Sequence, residues 1–462
     1  AIIPVDRSIY DPTTGTSVAN PREQVSNISV WLDGGVVYGG RASEANGGTG
    51  RADWLRSFAG GQLKVTHDPV LGDLLPTQDM DGDTIRDAGS PGMANDSIIG
   101  PTTFVAGDVR ANEHAALTAM HTLFVREHNR VATIIDATHT DLPSDLVARD
   151  EEIYQRARKL VGAEIQAITY NEFLPSLGLS LPSYVGYDEN VDPSITNEFA
   201  TAAYRMGHSQ INGVTLRLNA DGTPIAAGPL NLFEGFFDPS RLTNEGGLEP
   251  ILRGLAKQVQ EATDTKMSDG LRNLLFANFP GGGPIANGTD LAALNIQRGR
   301  DHGLADYNTT RLALGLDAVT SFEEITSDPA LKAALESIYG SVDNIDLWVG
   351  VLAEDHLPGA CVGELTAAIL SDQFTRLRDG DRFFFEADAD LMLWAAPGDQ
   401  QSTSLDWLRG LTLAEVVQAN TDIDNLRANV FVVPEPASIT LMLLGLAAMT
   451  RRRREVQFAA RR

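Results

Sequence analysis

The stretch Gly107 to Ala132, GDVRANEHAALTAMHTLFVREHNRVA, constrains the fold more than any other, because it sets many ionisable groups on one predicted helix. Asp108 is placed as an N-cap, no proline interrupts the rest of the stretch, and Leu117, Met120, Leu123, Phe124 and Val131 recur at helical spacing. The spacing predicts a buried helix. Arg110, Glu113, His114, Leu117, His121, Phe124 and His128 fall on one stripe of its surface. Ionisable groups on a buried stripe are costly unless paired, hydrogen-bonded or bound to something. In one reading Arg110 pairs with Glu113 on a solvated face, and His121 and His128 are satisfied core histidines. In the other, the three histidines and Glu113 ligate a metal between helices. Seven-residue spacing, however, sets successive histidines about 10 Å apart along the axis, too far for one ion.

GDVRANE followed by HTLFVREHNRVA resembles the active-site helix of the animal-type haem peroxidases, the peroxidase-cyclooxygenase superfamily. Further stretches resemble the same family in the same order: NISVWLDGGVVYG at Asn27 to Gly39, AYRMGHSQI at Ala203 to Ile211, LNIQRGRDHGLADYN at Leu294 to Asn308 and LRDGDRFFFE at Leu377 to Glu386. Together they span the chain to about Phe431. Length alone would allow roughly three domains, but no linker divides the chain. The resemblance implies one mainly α domain over residues 1–431, with little β structure and with haem b held between core helices.

On spacing alone, His208 at the end of a predicted helix from Ile195 reads as a core histidine. The resemblance implies that it is the proximal iron ligand, a usual axial role for imidazole. It also implies that Arg205 pairs with a haem propionate and that Asn295 accepts from the second ring nitrogen of His208. Arg298, Arg300, Asp301 and His302 read as a structural salt-bridge cluster. Arg110 matches the distal arginine that polarises peroxide. Glu113 matches a carboxylate that in many members forms an ester to the haem, whereas His114 replaces a methionine that adds a second link in one branch. The family's distal histidine, a general base worth about 100- to 10,000-fold, lies on a segment preceding the part matched here. None of the eight histidines, at 67, 114, 121, 128, 139, 208, 302 and 356, has its context. The chain as written is therefore expected to be catalytically impaired, either as a fragment of a longer product or as a peroxidase-fold surface or matrix adhesion protein.

The same resemblance implies a calcium loop with ligands at Ser29, the Trp31 carbonyl, Asp33 and Gly35, although Gly35 stands where the family has a hydroxyl. Between Leu63 and Asp96 the regular patterns fail, and Asp79, Asp81, Asp83 and Asp87 read as a solvated acidic turn on a long surface loop. Leu146 to Tyr170 predicts a helix packed on the first. From Leu312 to Phe385 the pattern is again helical, with Trp348, Phe374 and the phenylalanine run as packing.

A net charge of -26 argues against nucleic acid or an anionic membrane as partner. The single cysteine, Cys361, excludes an intramolecular disulfide. The chain begins AIIPVDRSIYDP, without an initiator Met or leader, and so reads as cleaved or incomplete there. At the other end VPEPASITLMLLGLAAMTRRRR combines Pro-Glu-Pro, an apolar run of about 14 residues, short of the ~20 a span needs, and an arginine cluster. It resembles a PEP-CTERM sorting signal over 432–454, followed by a basic tail at 455–462. That implies sorting machinery as a partner, transient inner-membrane anchoring and delivery to the cell surface or matrix of a Gram-negative-type bacterium. The function expected is reduction of hydrogen peroxide, under oxidative stress, with oxidation of a small electron donor of the phenol or halide class.

Overall fold

The computed structural model describes residues 7–26, 28–40, 50–275 and 289–432. The sorting segment, apart from Val432, and the basic tail lie outside them. Among the described residues the fold is mainly α, with only short two-stranded antiparallel pairs. Two long helices form its centre: α1 (Ala115–Thr138) and α2 (Leu146–Ile168), the latter capped by Asp145, whose carboxylate accepts from Ala148 N at 2.9 Å. Leu123, Val131 and Ile135 of α1 share one apolar cluster with Ile153, Leu160 and Val161 of α2. Each such side chain contributes about 1.5–3 kcal/mol on burial. A second cluster gathers Phe199, Met206, Tyr307, Trp348 and Phe374 around the His208 segment, α3 (Leu291–Asp301) and α4 (Glu364–Asp379).

Helix α1 starts later than its sequence predicts. Asp108 is not its N-cap: that carboxylate accepts from Arg110 N at 2.8 Å and from the Arg110 guanidinium, which folds residues 108–111 into a turn. Asn112 is likewise taken by both backbone groups of Phe104, at 3.0 and 2.7 Å. His114 caps instead, Nδ1 accepting from Ala116 N at 3.1 Å. Local side-chain bonds compete with the helix here. Arg110 and Glu113 consequently leave the predicted stripe, and Leu117 is 37% exposed rather than core.

The helix predicted from Ile195 to His208 also breaks. One turn, Asn197–Thr201, is capped by Thr196; Ala202 then leaves helical geometry at φ -125°, ψ -75°, and a tighter 3-10 segment carries Ala203–His208. The stretch from Leu63 contains a hairpin that the sequence pattern does not announce. Thr66–Asp68 pairs with Gly72–Leu74, its turn made by Asp68 accepting from Val70 N and Leu71 N and by Gly72 at φ 73°. From Asp79 onward the predicted acidic loop stands. The helical pattern from Leu312 holds, with Trp348 and Phe374 buried, but Phe383 points outward at 56% exposure beside buried Phe384 and Phe385.

Where α1 and α2 meet, Glu127 and Glu164 are both fully buried. Glu127 is satisfied by Arg130 at 2.7 and 2.5 Å and by Asn420, the last residue of α5 (Leu413–Asn420), at 2.5 Å. Among the described residues no cation bonds Glu164, and Arg130 acts on it only at a distance. Burial first, and the neighbouring Glu127 charge second, hold its carboxyl well above the usual range, so it stays protonated beside Glu127.

Candidate functional site

The 3-10 geometry of Ala203–His208 places Arg205 and His208 in line, since residues three apart eclipse at three per turn. Ala202, Ala203 and Met206 are buried and anchor the segment. Asn295, fully buried on α3, joins the two residues: its Oδ1 accepts from Arg205 Nη1 at 3.0 Å and its Nδ2 lies 2.7 Å from His208 Nδ1. Asn295 thus lies beside His208, where the resemblance puts it, but its amide presents nitrogen, a donor, to the ring. The oxygen is occupied by Arg205. Burial, and then the Arg205 charge, push His208 down to about 4, so the imidazole is neutral at ordinary pH, the state that can ligate a metal.

Arg205 bonds the Ala200 carbonyl at 3.0 Å besides Asn295, and among the described residues no carboxylate pairs with it. Its affinity for the proton is lowered by burial and by a second guanidinium, Arg298. Arg205, without a carboxylate among the described residues, fits a ligand that carries one. Arg298 keeps its expected structural role, facing Asp301 at 3.6 Å and bonding Ser8 Oγ at 2.9 Å. Arg300, Asp301 and His302 are structural as predicted: Arg300 pairs with Asp346 at 2.8 and 2.7 Å, Asp301 accepts from Ser8 N at 3.2 Å, and His302 Nδ1 lies 2.9 Å from Asn197 Oδ1.

The second half of the site is the turn before α1. Burial alone would raise Asp108, but its bonds to Arg110 hold it below the usual carboxylate range. The partner of Arg110 is thus Asp108 and not the predicted Glu113. Glu113 is half-buried and pushed up by that burial, with the Arg110 charge a partial offset. The two histidines expected in the core differ in their bonding. His128 is satisfied at both nitrogens. His121 donates from Nδ1 to the Leu117 carbonyl at 2.8 Å, and its Nε2 is buried without a partner, with Asp108 and Arg110 as its charged neighbours. The histidines and Glu113 do not gather as metal ligands: among the described residues only Asp79, Asp81 and Asp87 come close enough together.

Residues 232–237 tie the two halves together. Leu232 N donates to the Gly213 carbonyl at 2.9 Å, just beyond His208, while Phe237 N reaches Glu113 O at 3.3 Å and Ala115 N reaches Gly235 O at 3.2 Å. Phe236 packs edge-on against His114, ring centroids 5.5 Å apart.

The four predicted calcium residues cluster around Asp33, which accepts from Gly35 N at 2.9 Å and from Ser29 Oγ at 3.3 Å; Trp31 N donates to Ser29 Oγ at 3.2 Å. They do not make a calcium site by themselves. Gly35 has no side-chain oxygen and its carbonyl already accepts from Gly39 N, and one carboxylate falls short of the six to eight oxygens that calcium takes. A cavity of about 570 Å³ lined by Tyr170, Leu174, Tyr184, Arg378 and Phe384 contains none of the predicted residues. The donor set, not the size of that cavity, marks the site.

Comparison with known proteins bears on what such a site holds. The animal haem peroxidase family profile matches residues 1–431, and that of the PEP-CTERM protein-sorting motif matches 432–454. The chain is 38% identical over 366 residues to peroxinectin A of Dictyostelium discoideum, covering 79% of this chain and 63% of that protein. It is 36% identical over 432 residues to the human peroxidasin homolog, covering 90% and 27%, and 35% identical to lactoperoxidase of Mesocricetus auratus, covering 89% and 55%. The chain thus spans less than two thirds of these relatives. Among solved structures it is similar to peroxidase A of D. discoideum, with a TM-score of 0.76, 34% identity and coverage of 92% and 77%. Rice fatty acid alpha-dioxygenase shares the fold at a TM-score of 0.67 and 22% identity, over 91% of this chain and 69% of that one.

Proposed function

Because the chain belongs to the animal haem peroxidase family, we propose that it binds haem b through His208 and reduces hydrogen peroxide while oxidising a small donor of the phenol or halide class. The observation that carries this reading is the neutral His208 backed by Asn295, beside an Arg205 with no carboxylate partner among the described residues. When bound, haem supplies the redox chemistry: peroxide takes two electrons from it, and donors return them singly.

The residues of the chain bind, orient and polarise. Ligation through Nε2 puts the His208 ring proton on Nδ1, and the Asn295 oxygen must then face the ring to accept it. A propionate taken up by Arg205 would free that oxygen. Arg110, oriented by Asp108, is the cation that steadies negative charge as the O–O bond breaks. No donor among the described residues engages the Glu113 carboxylate, which leaves it available for an ester link to haem. His121 Nε2 offers a lone pair near Arg110. Calcium at the Asp33 turn requires oxygen ligands besides Ser29, Trp31 and Asp33.

The sorting motif supports export and delivery to the cell surface, with transient anchoring in the inner membrane. Among the described residues no helix is long and apolar enough to cross a membrane.

The test is a haem titration of the purified chain and of His208→Ala, followed by peroxide and a phenolic donor. A saturable Soret band that changes in the variant, with turnover of the donor, supports the reading. No specific band in a folded protein overturns it in favour of a non-catalytic surface protein.

A further inference from the structure

Tyr38 ends the single helical turn Gly35–Tyr38 and is wholly buried. Its hydroxyl lies 2.9 Å from His128 Nδ1. The direction of this bond is set at the far side of the imidazole. His128 Nε2 lies 2.9 Å from the Gly61 carbonyl, which can only accept, so Nε2 carries the ring proton and Nδ1 presents a lone pair. Tyr38 therefore donates. Burial pushes His128 down to about 4, which leaves Nδ1 free of a proton at ordinary pH. A buried phenol bonded to a neutral base can lose an electron without stranding a proton, because the proton moves along a bond already made.

The surroundings suit such a step. The turn carrying Tyr38 is bonded to the loop carrying Arg110, Asp108 N donating to the Val36 carbonyl at 3.1 Å. His128 lies two turns of α1, about 10 Å, beyond His121, which has Asp108 and Arg110 as neighbours. On the other side, the Tyr154 ring meets Tyr38 edge-on at 6.1 Å. The Arg56 guanidinium lies over Tyr154 at 4.1 Å and over Phe58 at 4.9 Å, and Phe58 is 63% exposed. Tyr154, the Arg56 guanidinium and Phe58 thus lead in turn from Tyr38 to the surface.

We propose that Tyr38 is a redox-active tyrosine that relays single electrons from surface-bound donors to the peroxide-oxidised haem, with His128 as its proton acceptor. The proposal rests on the peroxidase reading. In the first half-step Tyr38 gives one electron to the oxidised haem, its O–H bond breaks, and the proton passes to His128 Nδ1. A neutral phenoxyl radical and an imidazolium result, the latter still donating from Nε2 to Gly61. In the second, a phenol or aromatic amine at the surface gives one electron to the radical and its own proton to solvent, leaving as a neutral radical, while His128 returns its proton to the Tyr38 oxygen. A buried imidazolium near the Arg56 charge, with Glu127 only a partial offset, is costly, which favours rapid return. Donors too large to approach the haem would be oxidised by this route.

The experiment is freeze-quench electron paramagnetic resonance of the haem-loaded protein after peroxide, with ring-deuterated tyrosine, in wild type, Tyr38→Phe and His128→Gln. The expected result is a tyrosyl signal that narrows on deuteration, disappears in Tyr38→Phe and falls at least tenfold in His128→Gln. Tyr38→Phe keeps the ring and its packing, and its ferric Soret band reports that the site is intact. A peroxide-dependent Soret change with the same tyrosyl signal in Tyr38→Phe, or with none in wild type, overturns the relay and leaves the peroxidase reading standing. Absence of any peroxide-dependent Soret change overturns both.

Discussion

Asn295 Nδ2 lies 2.7 Å from His208 Nδ1, and the same amide holds Arg205 by its oxygen at 3.0 Å. One buried side chain therefore faces both the ring of the candidate iron ligand and the cation beside it. Replacing it acts on both. Asn295→Leu is expected to weaken haem binding by about 10- to 100-fold, measured by Soret titration, while the helical circular dichroism persists.

His208→Ala removes the candidate iron ligand of the proximal half. Specific haem binding is expected to be lost at micromolar concentration, and millimolar imidazole is expected to restore a six- or five-coordinate Soret spectrum. Unchanged haem affinity in the variant would show that a different residue ligates the iron.

Arg110→Leu leaves Asp108 half-buried without its cation and takes the positive charge from the peroxide side. The step that consumes peroxide should slow by about 100- to 1,000-fold, read by stopped-flow absorbance, with haem affinity changed little. A loss confined to haem affinity would place Arg110 outside the reaction.

Glu164 makes a prediction about stability. Its folded-state carboxyl is raised by burial and by Glu127, so the folded protein binds a proton that the unfolded chain releases near the ordinary glutamate value. The stabilisation is fully present below that ordinary value and is lost as pH rises through the raised one. Urea midpoints should therefore fall with increasing pH in wild type and fall less in Glu164→Gln, which stays neutral throughout. Parallel curves for the two proteins would show that Glu164 does not carry the extra proton.

The broad architecture was legible because it rests on long apolar periodicities: α1 and α2 are where the spacing of Leu123, Val131, Ile153 and Leu160 puts them. The residues of the candidate site were legible through motifs, and the structure brings Arg205, His208 and Asn295 together as the resemblance implied. What could not be read was local competition. Asp108 offers the same signal whether it caps a helix or clasps Arg110, and only the turn geometry decides. The kink at Ala202 has no breaker residue to announce it. The nearness of Arg205 and Arg298 is a tertiary fact, set by where α3 packs.

Gly235 turns the link between the two half-sites into a gauge. Its carbonyl accepts from Ala115 N, and a Cβ built at this position would stand 2.3 Å from His114 Nε2. The spacing of the Glu113 turn from the chain beyond His208 is therefore calibrated by a side chain of one hydrogen atom. Any larger residue there acts as a wedge, so the separation of the two half-sites can be retuned from a position that belongs to neither.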